Sequence, residues 1–120
     1  MASILVVDDE GQIRFILKRV LEDVGHEVRL ASNGNEAIIS HNQQPADLIL
    51  TDLMMPEMEG LETIMELRRK LRSKVKIIAM SGGASTNLVG ARMLGADAVI
   101  AKPFDISELL QTVQDMLERD

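Results

Sequence analysis

Asp47-Leu48-Ile49-Leu50-Thr51-Asp52-Leu53-Met54-Met55-Pro56-Glu57-Met58-Glu59-Gly60 is the stretch on which the fold turns. Its first half holds a short apolar run, Leu48 to Leu50, and its second half is broken by Pro56 and Gly60 and interleaved with acids. A short apolar run bounded by such breakers reads as a buried strand and not as a helix. Asp52 then closes that strand at its carboxyl end, the side on which open parallel α/β sheets bind ligands. Taken alone, Asp52 is more simply a turn or loop cap, so its meaning depends on the rest of the chain.

Outward from this stretch the same grammar repeats. Apolar runs occur at Ile4 to Val7, Val28 to Ala31, Leu48 to Thr51, Val75 to Met80 and Ala98 to Ala101. Between the first two, Ile13, Ile16, Leu17, Val20, Leu21 and Val24 recur at helical spacing, and Gly25 is placed to end that helix. Phe15 projects opposite this stripe and is expected on an outer face. A second, weaker helix is expected from about Asn35 to His41, blocked by Pro45. A third spans about Leu61 to Leu71. A fourth runs from about Thr86 to Leu94 and contains Gly90. The fifth starts after the N-cap Asp105, with Glu108 three residues on, and carries Ile106, Leu109, Leu110, Val113, Met116 and Leu117 as its stripe. Strands alternating with helices give βαβ units, hence an α/β, doubly wound, five-stranded parallel sheet with helices on both faces.

Composition narrows the function. The chain has 120 residues and is 46% hydrophobic, enough for one domain with its own core over residues 1–120. A net charge of −6 disfavours nucleic-acid binding by this domain. Phe15 and Phe104 are the only aromatics, so stacking on bases is disfavoured as well. Cysteine is absent, which removes disulfide and thiol chemistry and is compatible with the expected cytoplasmic location. No apolar run reaches the length of a membrane span, and the amino-terminal run lacks the basic flank of a signal peptide.

The candidate chemistry lies at strand ends. Asp8 and Asp9 follow the first strand, Asp52 ends the third, Ser81 the fourth, and Lys102 follows the fifth. Three converging carboxylates repel one another and call for a cation. An all-oxygen ligand set with few carboxylates suits Mg²⁺. A hydroxyl and an ammonium beside a carboxylate are what a phosphoryl group attached there would need, because phosphoryl transfer rests mainly on positioning and charge stabilisation. Each residue also has a plainer reading: Asp8-Asp9 as a helix cap, Ser81 before Gly82-Gly83 as a turn residue, Lys102 before Pro103 as a solvated charge. Four such features at four strand ends, in order, outweigh those readings.

With these residues in view, the sequence resembles a response-regulator receiver domain of the chemotaxis-regulator type, over essentially its whole length. The likeness is carried by Leu5-Val6-Val7-Asp8-Asp9, Asp52-Leu53-Met54-Met55-Pro56-Glu57-Met58-Glu59-Gly60, Met80-Ser81-Gly82, Gly95-Ala96-Asp97 and Lys102-Pro103-Phe104. The resemblance implies a flavodoxin-like strand order 2-1-3-4-5 with five helices. It implies that Asp52 is the phosphoacceptor, supplied by a sensor histidine kinase or histidine phosphotransfer protein. It implies Mg²⁺ bound by the Asp9 and Asp52 side chains, by the Met54 backbone carbonyl and by Asp8 through water. Ser81 and Lys102 would contact the phosphoryl group, and the Lys102–Pro103 bond is expected cis. Such a protein promotes its own phosphorylation and dephosphorylation, is not a turnover enzyme on other substrates, and signals to an output partner that the sequence does not name.

Two features depart from the family pattern. Val99 stands where a ring is common, and Met54 and Gly83 offer no acid or amide to orient an attacking water. Three other readings compete. A haloacid-dehalogenase-like phosphatase would want Asp-x-Asp after its first strand, whereas Asp8 and Asp9 are adjacent. A nucleotide-binding fold would show a glycine-rich phosphate loop there, and none follows. An unphosphorylated pseudo-receiver would have lost an acid, the hydroxyl or the lysine, and this chain keeps them all.

Overall fold

The structure, a computed structural model, describes residues 2–53, 60–69, 75–81 and 95–119. Met54, the Gly82-Gly83-Ala84 loop and the expected helix from Thr86 to Leu94 lie outside these residues, as does the Ser81 side chain. Five strands form, β1 (Ser3–Val7), β2 (Glu27–Ala31), β3 (Leu48–Asp52), β4 (Lys76–Ser81) and β5 (Ala98–Ala101). Each lies within a residue or so of the apolar run that announced it. All the pairings are parallel, and the sheet order is β2-β1-β3-β4-β5.

The near-continuous apolar character of β1, β3 and β4 follows from burial on both faces, whereas the edge strand β2 carries exposed Glu27 and Leu30. Successive side chains alternate across a sheet. Leu5, Val7, Ile49, Ile77 and Ala79 face one layer, with Ala37 of α2 (Gly34–Gln43) and Ile64 and Leu67 of α3 (Gly60–Arg69). Ile4, Val6, Leu48, Leu50, Ile78 and Met80 face the other, with Leu17 and Leu21 of α1 (Gly11–Asp23) and Leu109, Val113 and Met116 of α4 (Ile106–Glu118). Each large apolar side chain so buried contributes about 1.5–3 kcal/mol relative to exposure.

Local signals set the helix ends. Gly25 adopts a φ of 97° just past α1, its N–H bonds to the Glu22 carbonyl, and the His26 N–H returns to the Leu21 carbonyl. That pair of bonds closes the helix with a residue in the left-handed region. Asn33 caps α2 by accepting from the Glu36 N–H, and Asp105 caps α4 by accepting from the Ser107 and Glu108 N–H groups. The expected stripes are wider than the faces that pack. Ile16 is 42% exposed, Val24 55% and Ile106 44%, although all three fall on the helical period. Phe15 is 63% exposed on the outer face of α1, as its position on the helix requires.

Candidate functional site

The strand order reverses at β1: β2 lies on one side of it and β3 on the other. Connections that part in this way leave a crevice at the carboxyl ends of the two central strands. Asp8, just beyond β1, and Asp52, the last residue of β3, stand at those ends.

Asp8 is fully buried, and every polar group it owns is held. Its N–H donates to the Ala31 carbonyl at 3.1 Å, Oδ1 accepts the Glu10 N–H at 2.9 Å, and Oδ2 accepts from Lys102 Nζ at 2.7 Å. Its carbonyl oxygen accepts from Arg14 Nη1 at 2.6 Å. Asp52 is only 4% exposed, and its Oδ2 lies 3.4 Å from the same Lys102 Nζ. The Thr51 hydroxyl donates to the Asp52 carbonyl at 3.1 Å, and the Leu53 N–H bonds to the Met80 carbonyl at 2.9 Å, fixing the backbone on both sides of the aspartate.

Lys102 follows β5, the Lys102–Pro103 bond is cis, and the side chain reaches back across the sheet to both acids. Burial pushes its ammonium down. The hydrogen bond to Asp8 and the negative charges of Asp52 and Asp8 outweigh that, leaving its pKa above the ordinary lysine value. The ammonium therefore stays charged at neutral pH. A buried cation between two carboxylates offsets the desolvation that either acid alone would suffer.

Asp8, Asp9 and Glu10 each present a carboxylate oxygen within 4.8 Å of the others, with Asp8 buried and the other two exposed. Oxygens so spaced suit a small hard cation that retains part of its water shell. Asp52 is tied to this group through the shared Lys102 ammonium. Of the residues singled out in the sequence, Asp8, Asp52 and Lys102 therefore meet directly, and Asp9 stands beside them. Ser81 ends β4 with its backbone paired to Ala101, next to the same end of the sheet. Met54 is outside the described residues. Sequence reasoning missed Glu10, Thr51 and Arg14. Glu10 adjoins the acid pair and was open to notice; the other two act through backbone carbonyls, which no residue pattern advertises.

A family model described as the response regulator receiver domain matches residues 4–114. The chain belongs to that family. The receiver domain is 40% identical over 117 residues to transcriptional regulatory protein SrrA of Staphylococcus aureus, covering 98% of this chain and 48% of SrrA. It thus spans about half the length of the curated relatives it matches. Among solved structures, it superposes on the Francisella response regulator 1452 receiver domain with a TM-score of 0.92 at 30% identity, covering 99% of this chain and 98% of that one. On Vibrio cholerae chemotaxis protein CheY4 the TM-score is 0.89 at 31% identity, covering 97% of this chain and 98% of that one. The receiver domain is accordingly a module of two-component signalling. No helix among the described residues is long and apolar enough to cross a membrane.

Proposed function

We propose that residues 1–120 form one receiver domain in which Asp52 accepts a phosphoryl group from a phosphohistidine, with Mg²⁺ bound, and that this changes the surface read by an output partner. The observation that supports it is the Lys102 ammonium, 2.7 Å from buried Asp8 and 3.4 Å from Asp52 at the point where the sheet order reverses. Asp8, Asp9 and Asp52, with the Met54 carbonyl, would hold Mg²⁺, and the oxygens clustered at Asp8, Asp9 and Glu10 fit such an ion. Once bound, the ion supplies positive charge to the oxygens of the transferring group.

The protein's own groups do the rest. A carboxylate oxygen of Asp52 forms the new O–P bond while the P–N bond of the phosphohistidine breaks. The electron pair of that bond stays on the imidazole nitrogen, and a ring protonated at its other nitrogen departs neutral. Lys102 is close enough to follow the charge from the Asp52 carboxylate onto the phosphoryl oxygens, and we assign the Ser81 hydroxyl to donate to one of them. Burial of Asp52 keeps competing water away and strengthens the Lys102 contact. The chain acts as a switch on itself and does not turn over a separate substrate. Its place is the cytoplasm, beside a sensor histidine kinase or a histidine phosphotransfer protein.

Incubation with Mg²⁺ and acetyl phosphate, read by intact mass, tests the assignment. The wild type is expected to gain one phosphoryl group, and Asp52→Asn, which stays folded because it relieves carboxylate repulsion, is expected to gain none. Equal labelling of the variant would overturn it.

A further inference from the structure

Arg14 Nη1 donates to the Asp8 carbonyl at 2.6 Å, from the first turn of α1 to the loop that carries the acids. Asp8's carbonyl and Asp9's N–H belong to one peptide plane. Whatever fixes that carbonyl fixes the plane from which Asp9 projects. Asp9 is exposed, and among the described residues no hydrogen bond holds its carboxylate. The position of its Cα is inherited from the backbone on either side. On the far side the Glu10 N–H is pinned to Asp8 Oδ1. On the near side Arg14 grips the carbonyl with a charge-assisted bond, the shorter and stronger kind.

Arg14 can do this because α1 begins beneath the loop. Its own N–H donates to the Glu10 carbonyl at 3.1 Å, and the guanidinium folds back over Gly11, where an added Cβ would stand 3.5 Å from Nη2. The rigid helix thereby holds the Asp8–Asp9 peptide, and with it the Cα from which the Asp9 side chain projects.

We propose that Arg14 is a positioning residue for the cation site: it presets Asp9 for Mg²⁺ by clamping the Asp8 carbonyl. The inference rests on the function proposed above and adds to it a residue that touches neither ion nor phosphoryl group. Arg14 carries positive charge near the acids, so by charge alone its removal should tighten binding of a cation. If it positions Asp9, removal should weaken binding.

Calorimetric titration of the whole chain with Mg²⁺, at a temperature where each protein is fully folded, separates the two. Arg14→Met is expected to bind Mg²⁺ about 10-fold more weakly than the wild type, the size typical when a group orienting a metal ligand is lost. In acetyl phosphate labelling, its half-saturating Mg²⁺ concentration should rise by a similar factor while the rate at saturating Mg²⁺ returns close to that of the wild type. Unchanged or tighter binding, or a lost maximal rate with an unchanged Mg²⁺ requirement, would overturn the proposal. Should Arg14→Met be unstable, Arg14→Gln, which keeps part of the stem but ends short of the carbonyl, is judged by the same criteria. A wild type that fails to bind Mg²⁺ at all would sink the underlying function together with this inference, whereas a wild type that binds and a variant that binds equally well would sink this inference alone.

Discussion

At the scale of single residues, Lys102 carries the most consequence. Its side chain is 14% exposed and stands between a fully buried aspartate and a nearly buried one. Removing one member of a buried ion pair leaves the other desolvated and uncompensated, which costs roughly 3 kcal/mol or more. Lys102→Ala is therefore expected to lower the urea midpoint by a corresponding amount in metal-free buffer. Added Mg²⁺ brings replacement positive charge to the same acids, so it should stabilise this variant more than the wild type. Equal Mg²⁺ increments in the two proteins would count against the assignment of Lys102 as their counter-charge. Most of this was visible in the sequence: Asp8, Asp52 and Lys102 declare themselves because each stands at the end of an apolar run. Arg14 did not, because its partner is a backbone carbonyl, and a pattern of residue types does not show where a guanidinium will fold.

At the scale of elements, two glycines separate backbone strain from crowding. Gly25 has φ 97°, and nothing lies within 4 Å of where a Cβ would be. Gly25→Ala meets only the left-handed penalty, on the order of 1 kcal/mol. Gly95 has φ 123°, and its Cβ would stand 2.8 Å from Arg68 Cγ. That arginine donates from Nε to the Gly95 carbonyl at 3.0 Å and from Nη2 to Asp97 Oδ2 at 2.7 Å, and Asp97 Oδ2 also accepts the Ile77 N–H at 2.8 Å. Gly95→Ala is expected to cost clearly more than Gly25→Ala in urea denaturation, since it also displaces this strap between α3 and the start of β5; equal costs would show the strap to be slack. Gly25 and Asp105 were legible as helix punctuation because their effect is local. The Arg68–Asp97 pair was not, since it spans 29 residues of chain and depends on how α3 lies on the sheet. The exposure of Ile16 and Val24 has a related cause. Helical spacing defines a stripe, but burial depends on what lies opposite, and α1 packs over β1 and β2, the latter the edge of the sheet.

At the scale of the whole molecule, pH acts through its two histidines. His41 is 6% exposed, and its Nδ1 accepts the Ala46 N–H at 3.0 Å where α2 gives way to β3. Burial, and then the charge of Arg29, push its pKa below the ordinary histidine value. His26 Nδ1 accepts the Ala2 N–H at 3.3 Å, and burial lowers its pKa too. Both histidines protonate more readily in the unfolded chain, so their contribution to stability is complete above about pH 6.5 and is lost as pH falls from there through their folded values. Each can contribute a slope of up to about 1.4 kcal/mol per pH unit in that window. Urea denaturation at pH 7.5 and 5.5 is expected to show the loss, and His41→Gln should shrink it. A loss of the same size in that variant would exclude His41 as a source.

Lys102 supplies a single ammonium to two acids, at 2.7 Å from Asp8 and 3.4 Å from Asp52. The two carboxylates are therefore rivals for one proton-rich head group, and what one gains the other loses. A phosphoryl group on Asp52 would bring more negative charge to that side and draw the ammonium away from Asp8. Such an exchange is reciprocal by thermodynamic necessity: anything that loosens the Asp8 contact makes the ammonium more available to Asp52. News of phosphorylation at β3 would thus reach the end of β1 as a vacated hydrogen bond, without any strand having to move.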